Sequence, residues 1–113
     1  MTETTNHKKE LEELIGIVNK EAASDLHLSL DNYPTIRVNG VLIPLLKRKR
    51  LSKEDTLGLM TELLTPKQKE NFLLNQEIDF SYNYNKDTRF RGNGFFQQGG
   101  VGVALRLIPK HIK

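Results

Sequence analysis

A β-hairpin over residues 88–109 constrains the fold of this chain more than any other feature. Side chains on a strand alternate between two faces. Before the turn, Phe90 and Phe96 share one face, while Arg89 and Arg91 lie on the other. After the turn, four aliphatic side chains alternate along the strand and share one face: Val101, Val103, Leu105 and Leu107. Arg106 lies on the other face of this strand. The two strands therefore predict a hairpin with one apolar face and one cationic face.

The length of the turn decides whether the arginines of the two strands meet. The turn falls within Gln97-Gln98-Gly99-Gly100, where glycine tolerates positive φ. A two-residue loop at 98–99 places Arg91 directly opposite Arg106. A loop at 99–100 places Arg106 opposite Asn93, one diagonal step from Arg91. Both even loops put the two arginines on one face, whereas a three-residue loop separates them.

A facing pair of arginines has a functional and a structural interpretation. Like charges on adjacent strands destabilise a sheet, by a few tenths of a kcal/mol or more. The pair therefore indicates a face that receives an anion, and a solvated strand face is the alternative. Small neighbours are expected to leave room for a ligand or another chain to approach; these are Gly92, Gly94, Gly102 and Ala104.

The rest of the chain predicts three helices and four further strands. Apolar residues at helical spacing indicate a helix over 8–22. Ser52 with Asp55, and Thr65 with Gln68, have the spacing of capping boxes at two helix starts. Leu57, Met60, Leu63 and Leu64 are expected to stripe the first of these helices, and Phe72 and Leu73 to dock the second. Alternating patterns predict strands over 24–30, 35–38, 41–43 and 78–84.

The predicted order α-β-β-β-α-α-β-β-β defines the fold class. Short connections at 39–40, 85–87 and 97–100 make those strand pairs antiparallel. The chain is therefore expected to be α+β, with a mostly antiparallel sheet of about six strands and helices packed on one face. The other face, which carries the outward charged side chains, is free to meet a ligand or partner.

Composition excludes several classes of protein. The 113 residues suit one compact domain. The absence of cysteine excludes disulfides, zinc–thiolate sites and thiol nucleophiles. No apolar run has the length of a membrane-spanning helix or a signal sequence, so a soluble cytoplasmic chain is expected. The basic run 47–50 is interpreted as a solvated loop, and no nucleic-acid partner is expected at a net charge of +3.

The polar residues predict an anion site better than a catalytic or metal site. Asp25 and His27 face outward from one strand, but a metal needs more ligands, and His7 and His111 lie near the termini. No metal site is therefore expected. The chain also lacks a phosphate-binding loop and a nucleophile elbow, so alone it is not expected to be an enzyme. The coherent polar set is cationic and suits phosphate recognition: Arg37, Arg89, Arg91 and Arg106.

Five motifs in order resemble a known family. They are Ala-Ser-Asp-Leu-His-Leu-Ser at 23–29, Pro-Thr-Ile-Arg-Val-Asn-Gly at 34–40, Glu-Ile-Asp-Phe-Ser at 77–81, Arg-Phe-Arg-Gly-Asn at 89–93 and Arg-Leu-Ile-Pro at 106–109. Over residues 8–113 the chain resembles the N-terminal domain of PilT-like type IV pilus retraction ATPases, a branch of the secretion ATPase superfamily. Gly92 departs from the pattern, since the family usually has an apolar residue such as Val there.

The resemblance implies a fold and a role. Residues 1–113 would form a single PAS-like N-terminal domain of a larger motor ATPase, whose RecA-like ATPase domain, with ATP and Mg, is absent from this chain. Arg91 and Arg106, with Arg89 as a secondary candidate, would contact the phosphates of that ATP. Asp25, His27 and Arg37 would be candidates for contacts between domains or between subunits.

The resemblance also implies partners and a location. The partners would be the protein's own motor domain, the other subunits of a homo-hexamer, and the inner-membrane platform protein of the pilus. The protein would be cytoplasmic, peripheral to the inner membrane at the pilus base, and would drive pilus retraction and twitching motility. The alternatives are the same domain of a pilus-assembly or type II secretion ATPase, and a stand-alone PAS-like sensor or interaction domain with an internal small-molecule pocket.

Overall fold

The computed structural model describes residues 6–97 and 99–109; His111 and the turn residue Gln98 lie outside that part of the chain. The elements occur in the order that the sequence predicts. They are α1 (His7–Lys20), β1 (Asp25–Ser29), β2 (Thr35–Val38), β3 (Val41–Pro44), α2 (Lys53–Leu63), α3 (Pro66–Asn75), β4 (Glu77–Asn83), β5 (Arg89–Gln97) and β6 (Gly100–Ile108).

The six strands form one open sheet in the order β3-β2-β1-β6-β5-β4. Each neighbouring pair is antiparallel. The first strand, β1, and the last, β6, are adjacent at the centre, so the sheet joins residues from both ends of the described chain. The α+β class and the six-stranded antiparallel sheet are confirmed.

Two tight turns fix the register of the hairpins. Val38 pairs with Val41 across Asn39 and Gly40, whose φ values of 50° and 80° are those of a type I′ turn. Gln97 pairs with Gly100, so β5 and β6 are joined by a two-residue connection and Arg91 lies opposite Arg106. Of the two even loops, the one at 98–99 is the one the chain adopts.

The three helices pack on one face of the sheet. The buried stripe of α1 consists of the residues that the periodicity predicts: Leu11, Leu14, Ile15 and Val18. They join a core that includes Leu26 and Leu28 of β1, Phe90 of β5 and Leu105 of β6. Burial of this apolar surface is the main source of stability. Within the described residues, no helix is both long and apolar enough to cross a membrane.

The predicted docking residues of α2 and α3 are partly wrong. Leu57 is 39% exposed and Leu73 is 50% exposed. The buried stripe of α2 includes Thr56, whose hydroxyl donates to the Lys53 carbonyl at 3.1 Å, together with Leu59, Met60 and Leu63. Because this threonine satisfies its own hydroxyl, it occupies a core position that apolar residues alone do not reveal. Both predicted capping boxes are present.

The glycines of the hairpin do not open a binding surface, contrary to the expectation from their size. Gly92 and Gly94 face the core, where a side chain would collide with the Phe80 ring and with Met60. Gly102 lies on the opposite face, under the ring of Phe95. These three small residues make room for neighbouring side chains of the same domain. Of the four, Ala104 and Gly92 line the outer groove described below, and the space on the core side of Gly92 is filled by the Phe80 ring.

Candidate functional site

A row of polar side chains crosses the face of the sheet that the helices leave open. The strand register aligns one residue from each of five neighbouring strands, in the order Arg37, Asp25, Arg106, Arg91 and Ser81. Neighbouring strands are about 4.8 Å apart, so each side chain adjoins the next. Three arginines and one carboxylate thus share a strip of the sheet, and we call these five residues the arginine row.

Asp25 is the buried member of the arginine row. Its side chain is 8% exposed, and it lies between Arg106, whose Nε is 3.3 Å from Oδ2, and Arg37, whose Nε is 3.9 Å from Oδ1. The Ser24 hydroxyl also donates to Oδ1 at 2.6 Å. A carboxylate buried among these donors offsets the repulsion that the flanking guanidinium groups exert on each other. The predicted surface shared by Asp25 and Arg37 is therefore present.

The surroundings of Asp25 shift its acidity. Burial acts to raise the pKa of the carboxyl group, but the hydrogen bonds from Ser24 and Arg106 and the charge of Arg106 outweigh it. The pKa of Asp25 is therefore lower in the folded protein than its ordinary value. A carboxyl group that holds its proton less tightly when folded stabilises the fold in its ionised form.

The free energy of unfolding is expected to fall in acid partly through Asp25. Because the folded pKa is depressed, the stabilisation is complete above the pKa of the unfolded chain and is lost as the pH falls through the folded value. Urea titrations at several pH values below about pH 5 measure this loss. Asp25→Asn should flatten that part of the profile, and Ser24→Ala, which removes one hydrogen bond, should move the loss to higher pH. An Asp25→Asn profile parallel to wild type would contradict the assignment.

Arg91 and Arg106 differ in how free they are to bind an anion. Arg91 is exposed, and no hydrogen bond or ion pair involves its side chain within residues 6–97 and 99–109. Arg106 is 75% exposed but has its Nε on Asp25. A free guanidinium can bind phosphate through two parallel hydrogen bonds. Arg91 is thus the open cation of the pair, and Arg106 supplies a second charge that Asp25 partly neutralises.

A second polar row, one step further along the strands, was only partly anticipated. Here His27, Ala104, Asn93 and Asp79 lie side by side on adjacent strands. The Asn93 amide donates to the Asp79 carboxylate at 2.7 Å. Asp79 was not singled out from the sequence, although the alternation of β4 already places it opposite the Phe80 face. A groove on this face is lined by the second row, by every member of the arginine row except Arg37, and by Gln68 of α3.

The remaining predicted site residue, Arg89, stands apart from the arginine row. It is the first residue of β5, where it pairs with Ile108, and its Nε donates to the Asn83 side chain at 3.1 Å. It shares the outer face with Arg91, two residues along the same strand. The structure therefore brings together five of the six predicted site residues and leaves Arg89 at the margin, held by a neighbour on β4.

Three known proteins are similar to this chain in sequence. The chain is 35% identical over 107 residues to the type IV pilus retraction ATPase PilT of Pseudomonas aeruginosa, which covers 91% of this chain and 30% of that protein. It is 31% identical over 103 residues to the type IV pilus ATPase PilU of the same organism, over 91% of this chain and 27% of that protein. An uncharacterised protein of Escherichia coli, YggR, is 31% identical over 101 residues. No protein-family model matches the chain.

Solved structures share the fold. The crystal structure of the pilus retraction motor PilT with bound ADP superposes with a TM-score of 0.81 at 35% identity, over 89% of this chain and 29% of that one. The ATPase DotB of Legionella pneumophila superposes with a TM-score of 0.77 over 96% of this chain and 31% of that one. At 21% identity, the second match bears on the fold alone. The chain spans about 30% of the length of the relatives it matches.

The fold, the arginine row and the sequence relatives together define the class of protein to which this chain belongs. The chain belongs to the secretion ATPase superfamily. Within it, the chain matches the N-terminal domains of PilT-like pilus ATPases, at 31–35% identity.

Proposed function

We propose that this domain presents Arg91 and Arg106 to the phosphates of ATP held by a RecA-like motor domain of the same protein, in a hexameric motor that retracts type IV pili. The observation that carries the proposal is the facing pair itself. Two guanidinium groups on adjacent strands repel each other unless an anion lies between them. The Arg91 side chain has no hydrogen bond or ion pair with any residue that the structure describes, which supports a ligand that comes from outside the domain.

The chemistry that the pair suits is stabilisation of charge on a transferring phosphoryl group. Such transfer needs little covalent participation by protein side chains, and arginines act by neutralising charge on the phosphate oxygens. The motor domain would hold the nucleotide and Mg. This domain would supply cations that complete the site when the two domains close. ADP in the similar structure of PilT supports a nucleotide as the anion.

The test is ATP hydrolysis by a longer product of the gene that joins this domain to a motor domain, compared with the 113-residue chain. Hydrolysis by the longer product alone would agree with the proposal. A gene that encodes no phosphate-binding loop beyond this domain would contradict it and leave a stand-alone interaction domain. Deletion of the gene then separates the motors, since hyperpiliated, non-twitching cells indicate retraction and bald cells indicate an assembly or secretion motor.

A further inference from the structure

A second surface lies at the β3 edge of the sheet, next to the Arg37 end of the arginine row. Four large apolar side chains are exposed within six residues there: Val41 is 60% exposed, Leu42 52%, Ile43 41% and Leu46 69%. We call these four residues the apolar edge. The other large apolar side chains exposed in the described residues are three leucines on the helices, at 57, 73 and 74. The apolar edge is therefore a local concentration of apolar surface, which in a soluble domain indicates an interaction site.

The apolar edge lies in the most basic part of the sequence. Residues 32–53 hold six of the chain's 17 lysines and arginines and none of its 14 acidic residues. The remainder of the chain is net acidic. Lys47, Lys49 and Arg50 are exposed directly after the apolar edge, whereas Arg48 is tied to Glu13 at 2.9 Å. Apolar side chains and exposed cations are thus presented together, and one of these cations, Arg50, lies over the Tyr33 ring.

We propose that the apolar edge and its adjoining cations bind the surface of a membrane that contains anionic phospholipids. Lysine and arginine side chains near such a surface each contribute about a fivefold gain in affinity. Apolar side chains that enter the boundary between headgroups and acyl chains add to that gain. Neither the cationic nor the apolar contribution requires a shaped pocket, so an exposed sheet edge can supply both.

The geometry of β3 favours a membrane over a partner strand. The two-residue turn at Asn39 and Gly40 makes Val38 and Val41 a hydrogen-bonded pair. Because such pairs alternate along an antiparallel ladder, Ile43 also directs its backbone groups toward β2. The outward positions are Leu42 and Pro44, and proline has no N–H to donate. β3 therefore offers a single outward N–H, that of Leu42, which is too little for an added strand to form a ladder.

The side-chain directions support the same choice. Val41 and Ile43 lie on the helix-covered side of the sheet, beyond the reach of the helices, whereas Leu42 pairs with Arg37 on the arginine-row side. Apolar side chains project from both faces of the edge and from the turn at Leu46. A fluid membrane interface can surround the apolar side chains on both faces of the apolar edge. A second copy of the chain, by contrast, would bring two basic segments together, which repel each other.

Tryptophan fluorescence tests the proposal directly, because the chain contains no tryptophan. Leu46→Trp places a single reporter at the apolar edge, and Leu74→Trp places one at the 80% exposed leucine of α3 as a matched control. With vesicles of phosphatidylcholine and phosphatidylglycerol, the Leu46→Trp emission should shift to the blue and the Leu74→Trp emission should not. Vesicles of phosphatidylcholine alone should shift neither.

Vesicle co-sedimentation of the 113-residue chain measures the contributions of individual side chains. Leu46→Ser is expected to weaken binding about tenfold, through lost apolar burial. Lys47→Glu should weaken binding at least about fivefold. Leu74→Ser and Lys67→Glu, which alter exposed residues of α3, are the controls and should retain nearly all binding.

Two results would overturn the membrane proposal. Equal losses with Lys47→Glu and Lys67→Glu would mean that net charge alone drives binding. Absence of binding to anionic vesicles at low salt would leave the apolar edge as a docking surface for another protein. Circular dichroism of each variant distinguishes either outcome from a loss of fold.

Discussion

Replacement of Arg91 by alanine is expected to lower the turnover number for ATP hydrolysis by about a thousandfold in a protein that joins this domain to its motor domain. The figure follows from arginines that stabilise the transition state of phosphoryl transfer, which contribute about 10³-fold or more. Arg91 qualifies because its side chain is exposed and makes no hydrogen bond or ion pair in the described parts of the chain. Steady-state kinetics with saturating Mg and ATP provide the measurement.

The graded variants separate a contact with phosphate from a general effect of charge. Arg91→Lys keeps the charge but lacks the planar fork that binds two oxygens at once, so it should restore only part of the activity. Arg106→Ala should cost less than Arg91→Ala, because Asp25 already shares the Arg106 guanidinium. Arg50→Ala removes an exposed arginine that lies over the Tyr33 ring instead, and should leave turnover near wild type.

The division of the loss between kcat and KM reports when the contact forms. An arginine that acts mainly on the transition state lowers kcat and changes KM little, whereas one that binds the ground state equally well raises KM. We expect the first pattern for Arg91, since domain closure would bring it to the phosphates. Unchanged kcat in Arg91→Ala would contradict the proposed role and would turn attention to the arginine row as a contact surface between subunits.

Local patterns in the sequence predict most of the site because strands alternate with a fixed period. That period places Asp25, Arg37, Arg91 and Arg106 on outward faces before any pairing is known. The order of the strands is another matter. Asp25 and Arg106 are 81 residues apart in sequence yet 3.3 Å apart in space, because β1 and β6 pair at the centre of the sheet. No local pattern contains that pairing.

The incorrect predictions have a common physical origin. The size and polarity of a residue do not by themselves determine whether it is buried or exposed, because that depends on its neighbours. Thr56 is polar but buried, because its hydroxyl bonds to its own helix. Gly102 is small but leaves no opening, because the Phe95 ring lies over it. Leu73 is apolar but half exposed, since α3 contributes only Phe72 to the core. The outcomes at Gly102 and Leu73 depend on how elements pack against one another, and the outcome at Thr56 depends on a hydrogen bond within its own helix.

The pair formed by Phe80 and Gly92 is expected to show large effects on the stability of the domain. The two residues pair across β4 and β5, and the Phe80 ring occupies the space in which a side chain at position 92 would lie. Phe80→Ala should lower the free energy of unfolding by about 3–5 kcal/mol, through lost burial and the cavity that remains. Gly92→Val should cost about 1–3 kcal/mol, because its methyl groups collide with the ring.

The double variant tests whether the Phe80 ring is the reason that position 92 requires a glycine. In Phe80→Ala the space beside position 92 is empty, so Gly92→Val should then stabilise the domain by filling it, the opposite sign to its effect in wild type. Urea unfolding of the four proteins gives the coupling between the two positions. Gly94→Val is the matched control, since its collision is with Met60 and should persist without Phe80. Gly92→Val effects of equal sign in both backgrounds would mean that the strand needs glycine for its backbone. A change of sign would mean that the Phe80 ring fills the volume that a side chain at position 92 would otherwise occupy.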